Sequence, residues 1–175
     1  MNRLFFAPVS SGSLFENFNL TVVQGVPMSD LQSGFPFLPK QETVARLWGI
    51  RDAKKTTFEK TKKGDVVCFY KEGDIIGYGQ VQGTFVNLEL AGRLWGTMQK
   101  KNTSELYGWP NIIVLAGFNS CKISFGEFIR LAKYSEKFSI RGYLEFNNLG
   151  TQKMLSSRGS ILNFFKSFHL VANEN

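Results

Sequence analysis

Gly64-Asp65-Val66-Val67-Cys68-Phe69-Tyr70-Lys71-Glu72-Gly73-Asp74-Ile75-Ile76-Gly77-Tyr78-Gly79-Gln80-Val81 is the stretch whose reading decides the fold. Two β-rich runs, Val66 to Tyr70 and Ile75 to Thr84, flank Lys71-Glu72-Gly73-Asp74, a turn carrying the glycine that a tight hairpin needs. Upstream, Lys54 to Lys62 predicts a short helix with Phe58 as its inward anchor, and Gly64-Asp65 ends it and turns the chain into the first strand. Downstream, Glu89 to Leu94 predicts another short helix, ending at Trp95-Gly96.

Further out, Arg3 to Val9 reads as a first strand, Ser10 to Ser13 as a turn and Leu20-Thr21-Val22-Val23 as an extended segment, because β-branched residues suit a pleated surface. Pro27 to Pro39 holds three prolines and predicts a loop. The spacing of Glu42, Val44, Ala45 and Leu47 predicts a brief helix over Gln41 to Leu47 that delivers Trp48 to a strand start. Thr97 to Ser104 is a polar loop. The continuous apolar run Ile112-Ile113-Val114-Leu115 is a buried strand, Phe125 to Leu131 a helix, and Arg141 to Phe146 extended. Ile161 to Phe168 is a terminal helix with Ser160 as N-cap. Strands interspersed with short helices predict one α+β, barrel-like domain over residues 1–175.

At 43% hydrophobic and 20% charged, the chain has the composition of a folded globular protein. Of its 17 phenylalanines, Phe5, Phe6, Phe15, Phe18, Phe35, Phe37, Phe164, Phe165 and Phe168 crowd the two ends of the sequence, where core filling is the ordinary reading. The net charge of +7 and pI near 9.5 favour polyanionic partners. No apolar run approaches the about 20 residues that cross a bilayer, and the apolar stretch in Met1 to Pro8 is too short for a secretory signal. A cytoplasmic location without membrane contact is the expectation. Cys68, inside an apolar strand pattern, reads as a buried reduced thiol, and neither a disulfide framework nor a metal site is expected.

Enzyme chemistry finds little footing. The only histidine, His169, lies among Phe168 and Leu170, where packing or capping is the plainer role. No phosphate-binding glycine loop, His-Glu-x-x-His pair or Cys-x-x-Cys pair occurs. The expectation is a non-enzyme without a cofactor.

Binding residues are better marked. Trp48 and Trp95 stand at element ends beside glycines, next to the densest positive charge in the sequence. Arg51, Lys54, Lys55, Lys60, Lys62, Lys63 and Lys71 gather near Trp48, and Arg93, Lys100 and Lys101 near Trp95. Such lysines read either as a solvated face or as phosphate contacts. Each tryptophan has two readings as well, core plug or stacking platform. Trp109 before Pro110 also reads as a strand-start packing residue, and Tyr70 and Tyr78 sit on strands whose alternation could turn them either way.

The order Trp48-Gly49-Ile50, basic helix, Gly64 to Tyr70, Gly77-Tyr78-Gly79-Gln80-Val81, Leu94-Trp95-Gly96 and Trp109-Pro110-Asn111-Ile112-Ile113 resembles the EVE and YTH branch of the PUA-like superfamily. It looks like the version found as the N-terminal DNA-recognition domain of McrB-type modification-dependent restriction proteins. The resemblance spans about Leu20 to Leu170 and implies a PUA-like small β-barrel flanked by short helices, which accepts a flipped, modified base in an aromatic cage. Trp48 and Trp95 would then be two walls, Tyr107 or Trp109 the third, and Ile50 a further pocket residue. Base-edge contacts stay unassigned, because the Pro27 to Pro39 insertion departs from the family pattern. The implied partner is double-stranded DNA with a methylated adenine or cytosine, and an AAA+ GTPase motor and a nuclease, fused or associated, would lie outside these residues.

Physical terms agree with such a site. A base taken out of a duplex loses a few kcal/mol of stacking, and one aromatic platform returns about 1–3 kcal/mol. An added methyl group contributes only about 0.8 kcal/mol as buried area, so discrimination depends on a tight pocket. The alternatives are a YTH-type reader of methylated single-stranded RNA, separable by a 2′-hydroxyl preference, and a protein-interaction or small-ligand domain whose lysines only solubilise it.

Overall fold

Strand-forming residues alternate inward along the chain and set the sheet, which a computed structural model describes at residues 2–9, 12–31, 35, 43–99, 106–132, 138–146 and 159–171. In chain order the elements are β1 (Leu4–Pro8), α1 (Ser13–Phe18), a π-helical segment (Asn19–Gly25), β2 (Val26–Pro27), a 3-10 turn (Met28–Asp30) and β3 (Val44–Ile50). A second 3-10 turn (Asp52–Lys54), α2 (Lys55–Lys60), β4 (Val66–Lys71), β5 (Asp74–Val86) and α3 (Leu88–Trp95) follow. The remainder comprises β6 (Met98–Gln99), β7 (Leu106–Tyr107), β8 (Asn111–Leu115), β9 (Asn119–Ser124), α4 (Phe125–Leu131), β10 (Leu144–Phe146) and α5 (Ile161–Val171).

The β4–β5 hairpin is the centre of the sheet, turning through Glu72 (φ 49°) and Gly73 (φ 96°), the left-handed pair that a two-residue hairpin requires. Asp65 orients its start: the buried carboxylate accepts from the backbone N–H groups of Arg3 and Lys62, both at 2.7 Å. The strand order is β10-β1-β4-β5-β8-β3-β2, with β1 and β4 parallel. β5 divides its far edge between β9 and β8, shifting register in each ladder. Among the described residues no ladder joins β2 back to β10, so this α+β sheet is open where a closed small barrel was expected.

Three cores follow. One is phenylalanine-rich, with Phe6, Phe128, Phe146, Phe164 and Phe165. A second runs from Phe5 through Phe69 to Trp48 and Tyr143, and a third lies under α3 with Leu47, Leu90 and Val114. Cys68 is buried and free, Phe58 is the inward residue of α2, and Ser160 Oγ accepts from Asn163 N at 3.0 Å as the cap of α5.

Three sequence readings are corrected. The segment read as a helix ahead of Trp48 is strand β3 from Val44 onward, because Val44 and Ala45 pair with Pro27 and Val26 of β2 and Arg46 and Leu47 with Leu115 and Val114 of β8, contacts that helical spacing cannot anticipate. Leu20 to Val23 is π-helical rather than extended; the Arg46 guanidinium donates to the carbonyls of Val22 and Val23 and holds that turn against β3. Within the expected loop after Trp95, Met98 and Gln99 pair with Tyr107 and Leu106. The Ser10 to Ser13 turn and the loops Pro27 to Pro39 and Thr97 to Ser104 lie partly outside the described residues. No described helix is long and apolar enough to cross a membrane.

Candidate nucleic-acid interface

The exit of β3 gathers the site. Trp48 is 6% exposed, with its ring edge-on to Phe18 at 6.2 Å and to Phe69 at 5.5 Å, so most of it is core. The next residue has no side chain, and this absence matters. A Cβ on Gly49 would lie 2.6 Å from Trp109 Cβ and 2.7 Å from Trp95 Cζ3. Trp95 and Trp109 therefore converge on the bare backbone of Gly49 from two different segments.

Each of these rings is held locally. Asn87 Oδ1 caps α3 by accepting from Leu90 N at 2.9 Å, and the helix carries Trp95 at its far end. The indole Nε1 of Trp95 donates to Thr21 Oγ1 at 3.4 Å, and Thr21 donates in turn to the Asn17 carbonyl at 2.9 Å. Trp109 precedes β8, and the Arg51 guanidinium lies 5.1 Å from its ring centroid, a cation–π arrangement. Both rings are only half-buried.

Beside them opens a cleft of about 340 Å³, within the range of small-ligand sites. Trp48, Ile50, Trp109 and Tyr143 line it, and Arg51 and Lys54 supply its cations. A narrower crevice adjoins it over Gly49, where Trp95 joins Trp48 and Trp109. Tyr143 stacks on Phe5 at 5.4 Å and 5°, and its hydroxyl shares a 2.8 Å hydrogen bond with Thr61. Burial pushes that phenol well above its ordinary range, so it serves as a neutral, fixed floor.

The expected pocket residues are thus brought together unevenly. Trp48, Ile50, Trp95 and Trp109 meet at these two adjoining cavities, whereas Tyr107, 40% exposed on β7, lines neither. Among the cations, Lys54 packs its chain over Gly142 at the cleft, and Lys55, Lys62, Lys63 and Arg93 are exposed elsewhere. Lys60 is engaged 3.7 Å from Glu145, and Lys71 3.0 Å from Glu72 while lying 4.8 Å over Phe15. Lys100 and Lys101 lie outside the described residues. Tyr143, Leu14 and Asn17 went unread in the sequence: no local pattern marks them, and only tertiary packing brings them to these two cavities. No described group of three or more His, Cys, Asp and Glu side chains could hold a metal.

Among solved structures, the chain is similar to the N-terminal domain of Thermococcus gammatolerans McrB bound to m5C DNA. The TM-score is 0.65 at 18% identity, over 89% of this chain and 96% of that one. The likeness expected from the sequence therefore holds at the level of fold. ASCH from Zymomonas mobilis is also similar, with TM-score 0.47 and 9% identity over 88% of this chain and 94% of that one. No protein-family model matches the chain, and no curated protein does.

Proposed function

We propose that this chain is a non-enzymatic DNA-binding module that takes a methylated base of duplex DNA out of its stack into the cleft beside Trp109, as the specificity domain of a modification-dependent restriction system. The observation that carries this reading is the convergence at Gly49 of two partly exposed tryptophans beside a 340 Å³ cleft with Arg51 and Lys54 at its side. Similarity in fold to a domain solved with m5C DNA supports methylated DNA as the partner.

Roles follow from the chemistry of each group. Trp109 offers a stacking face, with Trp95 as the neighbouring ring and Trp48, Ile50 and Tyr143 as apolar floor. Stacking of about 1–3 kcal/mol per ring offsets the few kcal/mol lost on extrusion. Arg51 and Lys54 contact the phosphates that flank the extruded nucleotide, and Lys55, Lys62, Lys63 and Arg93 extend the basic surface. A GTPase motor of the AAA+ class and a nuclease, on the same or an associated chain, would act on the DNA so marked.

Binding to matched duplexes carrying unmodified, N6-methyladenine, 5-methylcytosine or 5-hydroxymethylcytosine sites, with single-stranded RNA alongside at two salt concentrations, tests the reading. Preference for one modified duplex is the expected result. Equal, salt-dependent binding to every oligonucleotide reduces the site to a basic surface, and preference for RNA replaces DNA as the partner.

A further inference from the structure

Asn111 is 1% exposed at the first position of β8, opposite Ile50 on one side and Val86 on the other. Its side-chain nitrogen donates twice: to the Ile50 carbonyl at 3.1 Å and to Asp52 Oδ1 at 2.9 Å. Among the described residues its buried Oδ1 has no hydrogen-bond partner. Flipping the amide cannot help, because the oxygen would then face a carbonyl and a carboxylate, both acceptors. An orphaned buried acceptor is destabilising, so the position keeps a costly group.

Those two bonds bracket a single residue, Arg51. With Ile50 fixed on one side and Asp52 on the other, the Arg51 carbonyl accepts from Lys54 N at 2.9 Å and closes the turn that carries Lys54. Trp109, two residues ahead of Asn111, is the ring over which Arg51 lies at 5.1 Å. One carboxamide therefore stands at the junction of both cleft cations and one ring.

We propose that Asn111 is a positioning residue, whose carboxamide locks the β3 exit so that Arg51 covers Trp109 and Lys54 stands at the cleft. Its consequence for DNA rests on the function proposed above, but the geometry exists without DNA and is tested without it. In the full chain labelled with 15N, the indole N–H signal of Trp109 is assigned by its loss in Trp109→Phe. Arg51→Ala moves that signal, and Asn111→Leu moves it in the same direction. A folded Asn111→Leu whose Trp109 signal stays in place overturns the proposal, as does an additive effect when Asn111→Leu is combined with Arg51→Ala.

Affinity for the preferred modified duplex across a salt series gives the second readout. Asn111→Leu lowers the slope of log affinity against log salt by about one to two, as loss of one or both cation–phosphate contacts does, and in the Arg51→Ala background adds no more than the Lys54 contact. A purely structural role lowers stability and leaves that slope intact. If the unaltered chain binds no DNA, the proposed function fails while the indole signal still decides the role of Asn111. Should Asn111→Leu not fold, Asn111→Ser, too short to span Ile50 and Asp52, gives the same two readouts.

Discussion

Phe5 and Phe6, neighbours on β1, point to opposite faces of the sheet and lead to two different uses of aromatic rings. On the Phe6 side the rings satisfy one another: Phe128 meets Phe6 at 5.5 Å and 87°, Phe146 at 5.6 Å and Phe164 at 5.7 Å and 83°. On the Phe5 side the stack passes through Tyr143 to the cleft and its adjoining crevice, where Trp109 and Trp95 stay partly exposed and rest against a guanidinium, a hydroxyl and a bare glycine. Edge-to-face packing uses up both the faces and the edges of the first group. In the second group Trp95 is held by a polar contact at its edge and Trp109 by a cation over one face, which leaves the remaining ring surface for a ligand.

The sharpest way to break this comparison is to remove a ring from the sealed side. Phe128→Ala deletes a fully buried side chain and should cost about 3–5 kcal/mol, seen as a large drop in thermal midpoint. DNA preference per folded molecule should stay as it was. A loss of preference at full folding would show that the two regions are one unit.

Next in size is Gly49→Ala, because its Cβ falls below 3 Å from both tryptophans and must push rings or β3 aside. Overpacking of this kind costs about 1–3 kcal/mol, and here the separation of the walls changes as well. The expected outcome is a moderate loss of stability with a larger loss of modified-base preference. Trp109→Ala should do the reverse in proportion: stability changes little beside Phe128→Ala, while affinity for the modified duplex falls by the about 1–3 kcal/mol of one stacking platform. Calorimetry and a binding isotherm on the same preparations check both.

The sealed side and the central hairpin were the legible parts of the sequence, for a local reason. Gly73 in its turn, the apolar run Ile112 to Leu115 and the Ser160 cap each carry their instruction within a few residues. The misread parts are those decided from afar. Val44, Ala45 and Leu47 fit a helical spacing, and only pairing with β2, for the first two, and with β8, for Leu47, makes them a strand. Val22 and Val23 carry strand propensity, and Arg46 from β3 overrides it through their carbonyls. The tryptophans were identifiable as candidates by their place beside glycines and lysines. Their meeting at Gly49, and the presence of Tyr143 beneath, depend on three segments that no spacing connects.

Charge gives a smaller and more selective test. Arg51→Ala and Lys54→Ala should each lower the salt slope of DNA binding by about one and weaken modified and unmodified duplexes alike, apart from any loss through the Trp109 ring under Arg51. Lys60→Ala is the control, since that ammonium is already spent on Glu145 at the surface, and it should move neither slope nor stability by a measurable amount. A slope change as large for Lys60 as for Lys54 would spread the interface over the whole basic face and remove the cleft's special standing.

The mildest test uses pH, and it acts through the sealed side first. Burial, followed by the nearby Cys121, holds the Cys68 thiol well above its ordinary value of 9.0, and burial pushes the Cys121 thiol up to about 12. Both belong to the phenylalanine-lined core. In the unfolded chain these thiols ionise from about pH 9 upward, while the folded chain keeps their protons, so the unfolded state binds fewer protons over that window. Stability should therefore be level below about pH 9 and decline from there toward pH 12, with the buried phenol of Tyr143 adding to the decline at its upper end. Denaturant midpoints followed by circular dichroism across this range measure it, and Cys121→Ala should make the decline shallower. An unchanged profile in that variant would assign the alkaline loss to Cys68, Tyr78 and Tyr143, and a decline carried by Tyr143 alone would move the pH-sensitive element from the sealed core to the floor of the cleft.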